Sequence, residues 1–220
     1  MKRFIQNLLN EKAIAIIAAT IAFYALLNFI SREFIMNDTL MYNTLTGQIP
    51  DKYIDDVIAF QHKWNWVYYL AMPVLLLIKW LFISAFIATV VIFRGYKISF
   101  GSIFKTVVVA EWLFILVGIA NSIVLMASNI QSISDIQNLN IIANTSLGQI
   151  FKEYQPVSWL ITPLYSLNIF QLIYMILLTV GIGSFISESN RKKLSLVVTG
   201  YGSLLLIWIM LITYINISYA

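Results

Sequence analysis

An all-α, polytopic membrane bundle of five transmembrane helices is the fold the sequence predicts, and three observations predict it. Of 220 residues, 60% are hydrophobic and 11% charged, against roughly 45–50% and 25% in a soluble domain. The apolar residues gather in uninterrupted runs of about 20, and the mean hydropathy is +0.83. No run shows the alternation, over about ten residues, of a barrel strand, so helices, which pair their backbone groups within the segment, are the form hydrocarbon permits. This profile excludes an ordinary cytosolic protein and a single anchor carrying a water-soluble enzyme. The chain reads as one integral membrane domain over residues 1–220.

The spans fall at about 13–30, 70–93, 106–127, 167–186 and 194–215, the second starting near Trp66 or Pro73. Each is long enough to cross at 1.5 Å per residue. Lys2, Arg3 and Lys12 precede the first, and Ser31, Arg32, Glu33 and Phe34 follow it without a small-residue cleavage site. It is therefore expected to be a retained helix rather than a signal peptide. Lys2, Arg3, Lys12, Arg94, Lys97, Lys105, Arg191, Lys192 and Lys193 fall on one side, and Arg32, Lys52, Lys63 and Lys152 on the other. Nine cations against four predict a cytoplasmic N-terminus and an outer C-terminus. The acids are distributed conversely, with only Glu11 and Glu188 inside.

The cytoplasmic connections, 94–105 and 187–193, are short and basic, whereas the outer segments 31–65 and 128–160 are long. Length on the outer face is where partner-specific surface can be built. Pro50 and Asp51 mark a helix start, and Ile54, Val57, Ile58 and Trp64 recur at helical spacing opposite Lys52, Asp55 and Lys63. Two readings stay open: an interfacial helix lying flat, or an extension of the second span into water. Around 136–142 and 147–154, short helices are expected to cap the bundle. Trp64, Trp66, Tyr68, Tyr69, Trp159 and Tyr165 fall near the outer boundaries, as in an aromatic belt.

With no cysteine and one histidine, a thiol nucleophile, an iron–sulfur cluster and a Cys/His zinc site are excluded. His62 has only Asp55 and Asp56 nearby, a poor metal set and more simply a solvated helix face. No nucleophile elbow or phosphate-cradling glycine loop occurs, so no catalytic, cofactor-binding or metal residues are assigned. The triplets beginning at Asn37 and Asn144 fit glycosylation acceptors, a pattern that chance often supplies. The basic residues lie between apolar runs, where they orient the chain and do not form a nucleic-acid surface.

Two ionisable residues, Lys79 and Glu111, fall inside spans, where a charge is expensive and by default functional. Counted from the cytoplasmic ends, Lys79 lies about 14 residues up the second span and Glu111 about 5 up the third, levels that differ by roughly 13 Å. That offset argues against a direct pair. It favours Lys79 snorkelling outward beside Trp80 and Glu111 reaching toward Arg94, Lys97 or Lys105. Asn121 stands near the level of Lys79 and is the more natural hydrogen-bond partner. The alternative is a polar path for a substrate formed by Lys79, Glu111, Asn121 and Gln171. Val198, Thr199, Gly200, Tyr201 and Gly202 look by letters like a potassium filter, but they sit inside a continuous span. Folding the last two spans together brings Gly181 and Gly183 level with Gly200 and Gly202, where small residues allow close helix approach.

Residues 99–116, SFGSIFKTVVVAEWLFIL, and 166–209, with Ile169, Phe170, Leu177, Leu178, Gly181 and the basic turn Arg191, Lys192 and Lys193, carry a further signal. Both stretches resemble the Yip1-type five-span family. The long cytosolic N-terminal region and Asp-Leu-Tyr-Gly-Pro motif of its eukaryotic trafficking members are missing. The resemblance is thus to the bacterial branch, some of whose members accompany ABC exporters as accessory membrane subunits. It implies a non-enzymatic accessory or scaffolding subunit of a larger envelope complex in the bacterial inner membrane. Its partners would be membrane lipids and other integral membrane subunits, with no nucleic acid. A transporter or channel subunit in its own right is the competing expectation.

Overall fold

A computed structural model describes residues 13–154 and 156–219; Lys2, Arg3, Glu11, Lys12 and Ala220 lie outside the described residues. The helices are α1 (Ala13–Ile30), α2 (Asp38–Leu45), α3 (Asp51–Phe93), α4 (Phe100–Ala110), α5 (Trp112–Ala127), α6 (Ile133–Leu139), α7 (Ile141–Asn144), α8 (Leu147–Ile150), α9 (Ser158–Ser166), α10 (Ile169–Gly183) and α11 (Asn190–Tyr219). Among the described residues, four stretches are long and apolar enough to cross a membrane: Ala13–Ile35, Asp51–Phe93, Phe100–Ala127 and Asn190–Ser218.

The first three predicted spans are all extended at one end. α1 runs on through a wider turn, Ser31–Ile35, closed by the Met36 N–H donating to the Ser31 carbonyl at 2.8 Å. α3 begins at Asp51 and continues for 43 residues, about 65 Å at 1.5 Å per residue. The stretch after Pro50 is therefore an extension of the second predicted span and not a separate flat helix. α3 stops where Gly95 takes φ +74°. The Tyr96 N–H reaches the Val91 carbonyl and the Gly95 N–H that of Ile92, the Schellman arrangement that a left-handed glycine permits. The third span starts at Phe100, where the Ser99 hydroxyl accepts from the Ser102 N–H. It breaks once, at Glu111, where the Phe114 N–H bonds three residues back.

The fourth predicted span, 167–186, differs most. Its helix α10 has 15 residues, about 22 Å, less than the hydrocarbon thickness of about 30 Å. α9 precedes it, and both pack on α11. The break between them is satisfied locally. Asn168 accepts from the Phe170 and Gln171 N–H groups, and Leu147 N–H and Thr145 carbonyl pair with Leu167 carbonyl and Ile169 N–H. Irregular backbone is tolerable at such a place because its polar groups find partners.

α3, α4, α10 and α11 pack around one core, and α1 lies mainly on α5. From α3, Trp80, Ile83, Ile87 and Val91 point inward at helical spacing; Ile103 and Val107 of α4, Tyr174, Leu178 and Ile182 of α10, and Leu196 and Val197 of α11 meet them. At one end of this core lie Arg94, Lys97, Arg191, Lys192 and Lys193, drawn together as the Arg94 guanidinium donates to Ser195 Oγ at 3.0 Å and to the Lys192 carbonyl at 3.4 Å. The opposite end is capped by α2 and α6–α8, joined where the Ile133 N–H donates to Thr44 Oγ1 at 3.2 Å.

α6 is held by a capping box, Ser132 with Asp135. The Asp135 carboxylate accepts from the N–H groups of Gln131 and Ser132 and from the Ser132 hydroxyl at 2.9–3.1 Å, and these donors hold it below the ordinary carboxylate range. A depressed value means that the stabilisation is present above the unfolded value, about 3.9, and is lost as pH falls through the lower folded one. The Gln131 and Ser132 amide resonances should titrate with a midpoint below about 3.9, as followed by NMR, and a midpoint at or above it would contradict the box.

Candidate functional site

Glu111 is fully buried at the junction of α4 and α5, and α3 and α1 bring the groups that answer it. Lys79 Nζ of α3 lies 2.6 Å from Glu111 Oε1, and the Tyr24 hydroxyl of α1 donates to the same oxygen at 2.8 Å. The lysine side chain is 44% exposed and the glutamate 0%, so the stem runs along the outside of the bundle and turns its ammonium inward. There it also lies 4.8 Å from the centre of the Phe114 ring, a cation–π contact that offsets part of its desolvation.

The direct pair overturns the expectation that Lys79 snorkels outward and Glu111 turns to the basic end. The reason is the start of the third helix. Counted from Phe100, and not from Thr106, Glu111 stands eleven positions in, against fourteen between Lys79 and Phe93. A difference of three residues is about 4.5 Å along the axis, within a lysine's reach. Asn121 has other work: its Oδ1 accepts from the Ile141 N–H at 3.0 Å and ties α7 to α5, so it does not meet Lys79.

Beyond the ion pair an aromatic row continues inward. Phe114 lies 5.3 Å from Tyr174, and Tyr174 lies 5.2 Å edge-on from Tyr201. The Tyr201 hydroxyl donates to Gln171 Oε1, placing the predicted polar residue Gln171 at the far end of the row. Among the described residues, Glu111 Oε2 and the Tyr174 hydroxyl are buried without a hydrogen-bond partner. Beside Tyr24, the Trp112 indole N–H donates to Thr20 Oγ1 at 3.0 Å, and the Thr20 hydroxyl donates to the Ile16 carbonyl. Sequence reasoning missed Tyr24 and Tyr174, and met Tyr201 only as part of the filter-like run. The available signal was a tyrosine in mid-span, away from the boundaries where such side chains ordinarily sit.

Two of the four glycines, Gly181 and Gly200, allow close helix approach, and neither meets a glycine across the contact. A Cβ on Gly181 would stand 2.3 Å from Thr106 Cγ2, so α10 meets α4 there. One on Gly200 would stand 2.9 Å from the Ile87 Cα, so α11 meets the backbone of α3. Gly183 lies under the Lys193 side chain, and Gly202 faces only Val198 of its own helix. The filter-like residues 198–202 lie within the continuous helix α11. His62 Nε2 stands 2.9 Å from Asp38 Oδ1 of α2, a partner that sequence proximity to Asp55 and Asp56 did not suggest.

The arrangement holds a buried carboxylate against one counter-charge and one hydroxyl donor. No family model, curated protein or solved structure matches the chain.

Removing one partner of a buried pair costs about 3–5 kcal/mol when the other is stranded. Lys79→Met strands Glu111 and should lose stability on that scale in detergent unfolding. Glu111→Gln leaves a lysine that can swing outward, and should lose distinctly less. The double variant should return to the level of Glu111→Gln. Equal losses for both single variants would argue against the pair. At the glycines, Gly200→Ala should cost about 1–3 kcal/mol by overpacking against backbone, while Gly202→Ala should be neutral or mildly stabilising in the same assay.

Proposed function

We infer that the chain is a non-enzymatic, multi-pass membrane subunit that acts through contacts with neighbouring proteins. The observation that carries this reading is an unpartnered stripe on α3. Tyr53, Val57, Phe60, Trp64 and Tyr68 are spaced by three or four residues and are 56%, 40%, 65%, 48% and 52% exposed. Such spacing aligns them along one side of the helix. If Phe93 marks one edge of the hydrocarbon, about 20 residues fill it, which puts Tyr68 at the outer limit of the headgroup region and Tyr53, Val57, Phe60 and Trp64 beyond it. A continuous aromatic stripe in water is a surface awaiting a partner, and aromatic side chains are favoured anchors in such contacts. The neutralisation of Glu111 within the chain agrees with this reading, because a charge already paired does not require a transported ion.

In this reading the N-terminus is cytoplasmic and the C-terminus outside, with α10 and α9 together making the fourth of five crossings. The membrane is the bacterial inner membrane, and the partner is another integral subunit of an envelope complex. The likeness of residues 99–116 and 166–209 to bacterial Yip1-type proteins supports an ABC-type exporter as that complex. A transporter or channel subunit is the second reading. It is favoured by the row from Lys79 and Glu111 to Tyr174, Tyr201 and Gln171, which crosses the bundle interior.

Co-purification from native membranes tests the two. Phe60→Glu with Val57→Asp should leave a folded chain that loses its co-purifying membrane protein. A chain that always purifies alone, or a partner retained by this variant, would count against the accessory role. Ion or solute flux in liposomes by the purified chain, abolished in Glu111→Gln, would establish the second reading instead.

A further inference from the structure

At the basic end, α10 and α11 leave a groove of about 330 Å³ between them. Ile176, Val180 and Leu194 form its walls with Thr179, and Asn190 and Lys193 stand at its mouth. Gly183 gives the Lys193 stem room to lie flat on α10, since a Cβ there would come within 2.7 Å of the lysine Cδ. The neighbouring charges are already engaged. Lys192 pairs with Glu188 at 3.0 Å, the single acid among described residues 94–105 and 183–199, and Arg94 spends its guanidinium on carbonyls and hydroxyls of α11. Among the described residues Lys193 has no carboxylate partner.

We propose that this groove holds one anionic phospholipid, its phosphate on Lys193 and Asn190 and an acyl chain along Ile176, Val180 and Leu194. The polarity of the groove, cationic at one end and aliphatic along the rest, calls for an anion and a hydrocarbon chain in one molecule. A soluble phosphate would leave the walls unused, and a zwitterionic lipid would leave the lysine uncompensated. The inference rests on the chain being embedded in a membrane and is independent of any partner subunit.

Native mass spectrometry of the full chain in detergent, titrated with phosphatidylglycerol, phosphatidylcholine or glycerol 3-phosphate, tests it. One phosphatidylglycerol should be retained in preference to phosphatidylcholine, and glycerol 3-phosphate should not displace it. Lys193→Gln should weaken retention roughly fivefold, as expected for one cation at a membrane surface, and Lys193→Arg should restore it. Ile176→Trp, at a half-exposed wall position, should weaken it by filling the groove. Lys97→Gln, at the same end but outside the groove, should leave it unchanged. Equal retention of the two lipids, equal loss in the Lys97 and Lys193 variants, or displacement by glycerol 3-phosphate would overturn the proposal. Circular dichroism of each variant confirms that the helices compared are the same.

Discussion

A carboxylate inside hydrocarbon must find its counter-charge in the protein, and the central geometry of this bundle follows from meeting that demand at Glu111. The residue is supplied by the third span, its cation by α3 and its hydroxyl donor by α1. Three segments far apart in sequence are thereby fixed at one depth. Hydrophobic packing is non-directional and would tolerate sliding of one apolar helix along another, whereas a hydrogen-bonded ion pair of 2.6 Å does not. The break between α4 and α5 falls at this residue, so the local winding of the helix changes where its one buried charge is presented.

The demand for paired polar groups also explains the fourth span. A shorter α10 leaves backbone groups at its N-terminus that lipid cannot satisfy. The loop that brings Thr145 and Leu147 alongside Leu167 and Ile169 supplies the missing partners, and Asn168 caps the helix. The long connection before the span is thus part of the span's own stability. Its Gly148 is packed against the Tyr165 ring, where a Cβ would come within 2.6 Å, so the connection and α9 form one unit.

The all-helical character and the position of the long apolar helices were legible in the sequence because burial of apolar runs leaves little choice of backbone. Helix starts were not. The stretch 100–105 contains Gly101, Ser102 and Lys105, which interrupt an apolar run without interrupting a helix, and placing the start at Thr106 displaced Glu111 by nearly two turns. The error then propagated to Lys79 and Asn121. The glycines show the same limitation: their smallness announced close packing, but which helix each one meets depends on rotation about the axis, which an all-apolar segment does not encode. The tyrosines on either side of Glu111 were hidden because their spans are uniformly hydrophobic and give no inward face.

Pro73 sits within the 43 residues of α3, and its ring removes one amide donor from the helical ladder. It divides the helix between the stripe from Tyr53 to Tyr68 and the segment that carries Lys79 and the core residues. With that donor missing, the ladder is one bond weaker at Pro73 than in the arms on either side, so α3 bends most easily between the exposed stripe and the half that grips Glu111.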